Sequence, residues 1–178
     1  MEFGPTTYVI LGILGLGPHS GYDIKQLADF STRHFWATSY GQIYPELKRL
    51  TEAGLIKPKD ASKGTRQRTL YSLTPKGQQT LHEWVSSPAI QTLEIRDEML
   101  LKLFFADEMT RKGTVGLLES MVRRHKEVAA GLREHEPKAK AQPDRMKYEV
   151  LKFGVAFHEW SADWFGKLAK DLGKETKK

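Results

Sequence analysis

The chain has 178 residues and no cysteine, which excludes a disulfide framework, cysteine-ligated zinc sites and a cysteine nucleophile. Its formal net charge of +6 is typical of proteins that bind nucleic acid or an anionic membrane surface, although a solvated basic surface gives the same value. The apolar run at residues 8–16 is too short to span a bilayer and contains Gly12 and Gly15. We therefore expect a protein that works in the cytoplasm without a membrane partner.

Two helices are predicted at the start of the chain. Residues 6–16 are apolar on nearly all sides, and small glycines among Leu and Ile favour a buried helix over a strand. The second helix starts after Ser20, because serine commonly caps helix N-termini. Its apolar stripe consists of Ile24, Leu27 and Ala28.

A third helix is predicted at about residues 40–53. Ser39 and Gln42 have the spacing of a capping box, in which each residue satisfies a backbone N–H of the other. Pro45 fits such a helix only near its first turn, where the missing N–H is not needed. Gly54 is expected to end the helix.

A β-hairpin follows, with strands at 55–57 and 69–73 and a turn-forming segment at 58–68. Thr74 is then the predicted N-cap of a fourth helix with Pro75 at its first position, and Leu81, Trp84 and Val85 are its apolar contacts. Five basic residues and one acid give the hairpin a local charge of +4; they are Lys57, Lys59, Lys63, Arg66, Arg68 and Asp60.

A domain boundary is predicted at residues 86–88, where two serines precede a proline. It separates an N-terminal domain, 1–87, from a helical domain, 88–178, that we expect to serve dimerisation or effector binding. The fold class is thus mainly α, with a two-stranded β wing in the first domain.

The second domain is predicted to contain three helices, at 94–109, 110–136 and 144–172, with a polar linker at 137–143. The middle helix has a heptad-like stripe, and the last helix is amphipathic and must bury its apolar side. The two stripes are Val115, Leu118, Val122, His125, Ala129 and Leu132, and then Met146, Val150, Phe153, Phe157, Trp160, Trp164 and Leu168.

The order of three helices, a hairpin and a helix is that of a winged helix-turn-helix, whose third helix enters the major groove of DNA with its N-terminus first. Residues 1–87 are therefore the predicted DNA-binding domain. Polar side chains in that first turn can meet base edges, and basic ones a turn later can reach phosphates. Tyr40 and Tyr44 could instead be partly buried, and the hairpin tip could be merely solvated. The predicted DNA-contacting residues are Ser39, Tyr40, Gln42, Tyr44, Lys48, Arg49, Lys63, Arg66 and Arg68.

The chain resembles the PadR-type transcriptional regulators over nearly its whole length. Residues 39–50 (SYGQIYPELKRL) and 52–56 (EAGLI) are similar to the family's recognition-helix signature. Residues 71–77 (YSLTPKG), 21–24 (GYDI) and 100–105 (LLKLFF) match the second wing strand, the second helix and the start of the C-terminal region.

The resemblance implies a bacterial repressor that dimerises through C-terminal helices and is often released from DNA by a small molecule. The chain is most similar to the larger subfamily, which has a long helical C-terminus. The wing departs from the family pattern, because residues 63–69 (KGTRQRT) stand where many relatives have Gly- and Pro-rich segments.

Four aromatic residues of the last helix, Phe153, Phe157, Trp160 and Trp164, have two interpretations. At helical spacing they are most simply a dimer contact. Alternatively, some of them line an apolar pocket for a small aromatic effector, since aromatic faces stack on flat ligands.

Motifs for catalysis or cofactor binding are missing from the sequence. The six histidines have no metal-ligand spacing, and neither a G-x-S-x-G motif nor a phosphate-binding loop occurs. We therefore expect no enzyme, metal or cofactor. The leading hypothesis is a ligand-responsive repressor that binds a pseudo-palindromic operator as a homodimer. A winged-helix interaction or assembly module without a specific DNA target is the alternative.

Overall fold

The computed structural model describes residues 3–33, 35–61, 68–88, 96–141 and 145–174. These residues form seven α-helices, one 3₁₀ helix and a two-stranded antiparallel sheet, which confirms the mainly helical fold class. The chain divides into two compact units, Met1–Gln91 and Thr92–Lys178. The domain boundary after residue 87 stays a prediction. Within the described ranges, no helix has both the length and the apolar character needed to cross a membrane.

The first unit contains four helices: α1 (Pro5–Leu14), α2 (Gly21–Ser31), α3 (Tyr40–Glu52) and α4 (Pro75–Ser86). The predicted caps are present, since Ser20 precedes α2 in a capping box and the Thr74 Oγ1 accepts the Gly77 N–H at 3.0 Å at the start of α4. The buried residues of α1, α2 and α3 form one core together with two residues that follow α3: Ile10, Leu11, Ile13, Leu14, Ile24, Ala28, Ile43, Leu47, Leu50, Leu55 and Ile56.

Helix α3 ends as its sequence predicts but contains its proline deeper than expected. Gly54 adopts a φ of +70°, and the N–H groups of Gly54 and Leu55 donate to Thr51 and Leu50 carbonyls at 3.0 and 2.9 Å. The expectation that Pro45 lies near the first turn is wrong, because it lies inside the helix. The carbonyl that its missing N–H would have bonded belongs to the exposed Gly41, where solvent can satisfy it.

The sheet consists of β1 (Ile56–Asp60) and β2 (Thr69–Leu73), and Pro58 pairs with Tyr71. The predicted turn segment therefore starts too early, since residues 58–60 belong to β1. A proline is tolerated there because a two-stranded sheet has only edge strands. Tyr71 also makes an isolated antiparallel bridge with His19, in the turn between α1 and α2. We call β1, β2 and the segment between them the wing.

Of the three apolar contacts predicted for α4, those of Leu81 and Trp84 are confirmed and that of Val85 is wrong. Trp84 stacks on Tyr8 of α1, with ring centroids 4.2 Å apart and planes 7° apart. Leu81 packs against the core from a half-buried position. Val85, which the sequence suggested as an apolar contact, is 69% exposed in the last turn of the helix.

The second unit contains α5 (Glu98–Phe104), a 3₁₀ helix (Ala106–Glu108), α6 (Arg111–Lys140) and α7 (Arg145–Lys174). The helix predicted at 94–109 is shorter, because Phe105 leaves helical geometry; residues 94 and 95 lie outside the described part. The predicted linker at 137–143 is wrong over its first four residues, since α6 continues through Pro137 to Lys140.

Helices α6 and α7 pack together around Leu118, Met121 and Phe165. Polar contacts also join them: Arg133 donates to Glu159, at 3.0 Å from its Nε, and the Nδ1 atoms of His125 and His158 are 2.8 Å apart.

The ring of His125 lies between aromatic groups, stacked on Phe165 with centroids 5.5 Å apart. Partial burial lowers the pKa of His125 below its ordinary value of 6.5, with a nearby Asp97 opposing and Arg124 reinforcing the shift. The sequence places His125 on the heptad-like stripe, where we expect a paired interface residue, and the structure shows its ring beside His158 of the same chain.

Candidate nucleic-acid interface

The N-terminus of α3 is organised by Ser39 and Gln42. The Gln42 Oε1 accepts the Ser39 backbone N–H at 2.9 Å and the Ser39 hydroxyl at 3.0 Å, so the side chain caps its own helix. Both residues are exposed. A bidentate contact of Gln42 with adenine needs its Oε1 as well as its amide nitrogen, so the oxygen would have to leave Ser39 on binding.

Three exposed tyrosines form a continuous aromatic cluster beside this cap. Tyr40 stacks between Tyr22 and Tyr44, with ring centroids 6.5 and 6.1 Å away. The Lys25 Nζ lies 5.5 Å from the Tyr40 ring centroid. Tyr40 and Tyr44 are 40 and 52% exposed, so both are open to a ligand rather than core residues. We call Tyr22, Tyr40 and Tyr44 the tyrosine cluster.

Gly21 permits the close approach of α2 and α3 that assembles this cluster. A Cβ atom at residue 21 would lie 2.7 Å from the Tyr44 Cε1 and 3.2 Å from the Leu47 Cδ1. The absence of a side chain at Gly21 thus lets the Tyr44 ring lie against the first turn of α2.

Arg49, predicted to contact phosphate, lies in an intramolecular network. Its guanidinium donates to the Glu46 carboxylate at 2.7 and 2.8 Å and to the Thr7 Oγ1 at 3.1 Å, and it lies over the Phe3 ring. The Thr7 hydroxyl in turn donates to Glu46. Burial raises the pKa of Glu46, but these hydrogen bonds outweigh it and lower the pKa. The network ties α3 to α1, and a phosphate contact of Arg49 stays a prediction.

The remaining predicted basic contacts are distributed along α3 and the wing. The Lys48 side chain is 80% exposed and only loosely paired with Glu52, 3.9 Å away. The Arg68 Nη2 donates to the Asp23 Oδ2 of α2 at 2.7 Å. Lys63 and Arg66 lie outside the described residues.

The four aromatic residues predicted on α7 remain exposed in the single chain. Phe153 and Trp160 are 71 and 62% exposed, and Phe157 and Trp164 are nearly half exposed. The face of α7 that packs in this chain carries Val155, Ala162 and Phe165 instead. The predicted residues thus form an unpartnered stripe and no enclosed pocket among the described residues.

Tyr22 and Lys25 also belong to the candidate interface, although neither was predicted from the sequence. Tyr22 lies on the side of α2 opposite its buried residues Ile24 and Ala28, so helical periodicity predicted its exposure, whereas the Lys25 side chain is only 15% exposed. Their stacking with Tyr40 depends on how α2 and α3 pack, which is not a local property of the sequence.

Comparisons with known proteins agree with this architecture. Residues 10–83 match the transcriptional regulator PadR-like family, and residues 95–172 match the virulence activator alpha C-terminal family. The chain is 33% identical over 150 residues to the negative transcriptional regulator PadR of Bacillus subtilis, covering 83% of this chain and 81% of that protein. The chain belongs to the PadR-like family of transcriptional regulators.

Solved structures of B. subtilis PadR are similar to this PadR-like chain over almost its full length. The complex of that protein with operator DNA has a TM-score of 0.85 at 30% identity, covering 93% of this chain and 98% of the other. Its complex with p-coumaric acid has a TM-score of 0.78 at 28% identity, covering 94 and 98%. The winged-helix fold and family membership predicted from the sequence are confirmed, and the chain is a regulator rather than an enzyme.

Proposed function

We propose that this chain is a repressor that binds a pseudo-palindromic operator as a homodimer. The observation that carries the proposal is the exposed surface at the start of α3, where Gln42 and the tyrosine cluster lie side by side. A recognition helix needs such polar and aromatic groups in its first turns. The relatives named above support the proposal, since one is a negative regulator and its structure contains operator DNA.

Each part of this surface has its own contribution to DNA binding. Gln42 reads bases, and the tyrosine cluster contacts the sugar–phosphate backbone or the thymine methyl groups through its open ring faces. Ser39 and Lys48 bind phosphates on either side, and Lys57 and Lys59 of β1 are exposed on the wing. Such phosphate contacts make the affinity fall steeply with salt.

The exposed stripe on α7 supports dimerisation. Large aromatic groups left open to water are costly and mark interaction surfaces. A second copy that covered Phe153, Phe157, Trp160 and Trp164 would bury them. The operator would then require the two α3 helices of this two-fold dimer to lie about 34–36 Å apart, one turn of DNA.

We also propose that a small aromatic effector releases the repressor from DNA. The complex of the B. subtilis relative with p-coumaric acid supports this class of ligand. An effector acts by binding more tightly to a dimer whose two α3 helices have the wrong spacing for the operator. A repressor must reach its operator DNA, and the protein of this proposal therefore acts in the cytoplasm.

Fluorescence anisotropy with labelled DNA from upstream of the protein's own gene tests the proposal. Wild-type protein should bind at two salt concentrations, resist unrelated competitor DNA, and lose affinity when p-coumaric acid is added. Gln42→Ala should reduce the preference for the operator over unrelated DNA. Gln79→Ala is the matched control, because Gln79 is an exposed glutamine of α4 that bonds Glu83.

Binding that competitor abolishes at both salt concentrations would contradict the proposal and favour the interaction-module alternative. Undiminished operator preference in Gln42→Ala would show that α3 is not the element that reads bases. An unchanged affinity in p-coumaric acid would remove that compound as an effector while leaving operator binding in place.

A further inference from the structure

The wing is fastened to the start of α2 at two points. In the backbone, the His19 N–H donates to the Tyr71 carbonyl at 3.1 Å and the Tyr71 N–H donates to the His19 carbonyl at 2.8 Å. In the side chains, Arg68 donates to Asp23 at 2.7 Å. The wing is therefore not an independent hairpin, because strand β2 is held against the helix-turn-helix along its first half.

Asp23 is a fixed acceptor for this contact. The same Oδ2 atom accepts the Ser20 backbone N–H at 2.9 Å and the Ser20 hydroxyl at 2.7 Å. Partial burial raises the pKa of Asp23, but the hydrogen bonds from Ser20 and Arg68 outweigh it and lower the pKa to about 2. The carboxylate is thus charged and immobilised at any pH at which the protein would work.

Arg68 stands where the wing's connecting segment rejoins the sheet. Its backbone carbonyl accepts the Ala61 N–H at 2.8 Å, which is the last hydrogen bond between the two sides of the wing before residues 62–67. Anchoring the Arg68 side chain to α2 therefore fixes the base of the segment to which Lys63 and Arg66 belong.

We propose that Arg68 is a positioning residue, whose ion pair with Asp23 holds the wing at the angle to α3 at which both contact DNA together. This differs from the sequence-based prediction that Arg68 binds phosphate, and it rests on the proposed DNA-binding function. The guanidinium of Arg68 is half exposed to solvent, but it already donates a hydrogen bond to the Asp23 carboxylate of α2.

The substitution Asp23→Asn separates the two roles because they predict effects of opposite sign. Asparagine retains an oxygen that can accept from Ser20 but cannot form the ion pair with Arg68. If Arg68 positions the wing, operator affinity falls roughly fivefold, as expected for loss of a partly exposed ion pair. If Arg68 instead contacts phosphate and Asp23 restrains it, operator affinity rises. The slope of log affinity against log salt concentration (the salt slope) then steepens by about 0.9.

Asp29→Asn is the matched control. Asp29 is an acid of the same helix and pairs with Lys25 rather than with the wing. The Asp29→Asn substitution removes one negative charge, as Asp23→Asn does, but leaves the attachment of the wing unchanged. Any gain in operator affinity that both variants share is therefore a general electrostatic effect and is subtracted.

Hydrogen exchange in the free protein provides a readout that does not depend on DNA. Asp23→Asn, but not Asp29→Asn, should accelerate exchange of the β2 amides of Leu70 and Tyr71. Accelerated exchange with lower operator affinity supports the positioning role. Unchanged exchange, or a rise in affinity above that of Asp29→Asn, overturns it. If wild-type protein binds no operator, the proposed function fails, and the exchange experiment still decides whether the ion pair holds the wing.

Discussion

Replacing Gly77 by alanine should disrupt the attachment of α4 to the wing. A Cβ atom at this position would lie 2.1 Å from the Leu55 carbonyl oxygen and 3.0 Å from the Leu73 Cδ1. The obstacle is backbone, which cannot rotate aside as a flexible side chain can. The first turn of α4 must therefore move away from the strand.

The cost follows from the contacts that this movement breaks. Thr74 donates to the Leu55 carbonyl through its N–H at 3.1 Å and through its hydroxyl at 2.9 Å, and its hydroxyl also lies 2.8 Å from the Gly54 carbonyl oxygen. Losing two such hydrogen bonds costs about 2 kcal/mol, and crowding at the site adds about 2 kcal/mol. The better helix propensity of alanine returns about 1 kcal/mol, so we expect the free energy of unfolding of the first unit to fall by about 3 kcal/mol.

Native-state hydrogen exchange of peptides from α3 and α4 measures this loss in the first unit alone. A decrease of about 3 kcal/mol corresponds to roughly 150-fold faster exchange of the most protected amides. Gly12→Ala is the control, because a Cβ atom at this exposed position of α1 meets nothing within 4 Å. That variant should be as stable as wild type or more stable by up to about 1 kcal/mol. Equal protection in wild type and Gly77→Ala would refute the packing argument.

Three further predictions concern the second unit and the interface. Lowering the pH from about 7.5 to about 5.5 should lower the melting temperature of the second unit. The reason is that the fold depresses the pKa of His125 and so favours the neutral ring, and this stabilisation is lost as the pH falls below 6.5. A His125→Asn variant should show a smaller pH dependence in thermal unfolding. The double substitution Trp160→Ala and Trp164→Ala should raise the dimer dissociation constant at least about 30-fold in sedimentation equilibrium, whereas Trp84→Ala should not. Equal effects would show that the α7 stripe is not the dimer interface. Lys48→Ala should lower affinity for all DNA sequences alike and reduce the salt slope by about 0.9 in anisotropy titrations, and a selective loss of operator binding would contradict its assignment to phosphate.

Helix ends were predictable from the sequence because their chemistry is local. Ser20, Thr74 and Thr110 each cap the helix that follows, and Gly54 takes the left-handed conformation that ends α3. Each of these residues acts on backbone groups within four positions, so the sequence alone contains the interaction.

Prolines were misleading where the surrounding structure tolerates them. Pro58 was expected in a turn but lies in β1, where the edge of a two-stranded sheet accepts a residue without an N–H. Pro137 was expected to end α6, yet the helix continues for three more residues. Whether a proline breaks an element depends on whether the backbone group that loses its partner can reach solvent or another donor, and this is decided by the surrounding structure.

The roles of charged residues were the least predictable part of the candidate site. Arg49 and Arg68 are basic residues beside a recognition helix, and the sequence therefore suggested phosphate contacts. Arg49 pairs with Glu46, three residues away on the same helix, and also contacts Thr7, 42 residues away, whereas Arg68 pairs with Asp23, 45 residues away. The helical spacing of Glu46 and Arg49 was visible in the sequence, but only the packing of α1, α2 and the wing brings the distant partners together.

Hydroxyl-radical footprinting of the full-length protein on DNA from upstream of its own gene tests the central claim most directly. A homodimer that reads DNA through α3 should protect two symmetric half-sites whose centres are about 10–10.5 base pairs apart, with flanking protection where the wings lie. Gln42→Ala should weaken protection in both half-sites equally. A single unsymmetric protected region, or protection that does not depend on the DNA sequence, would contradict the account of this protein as a dimeric, sequence-specific regulator.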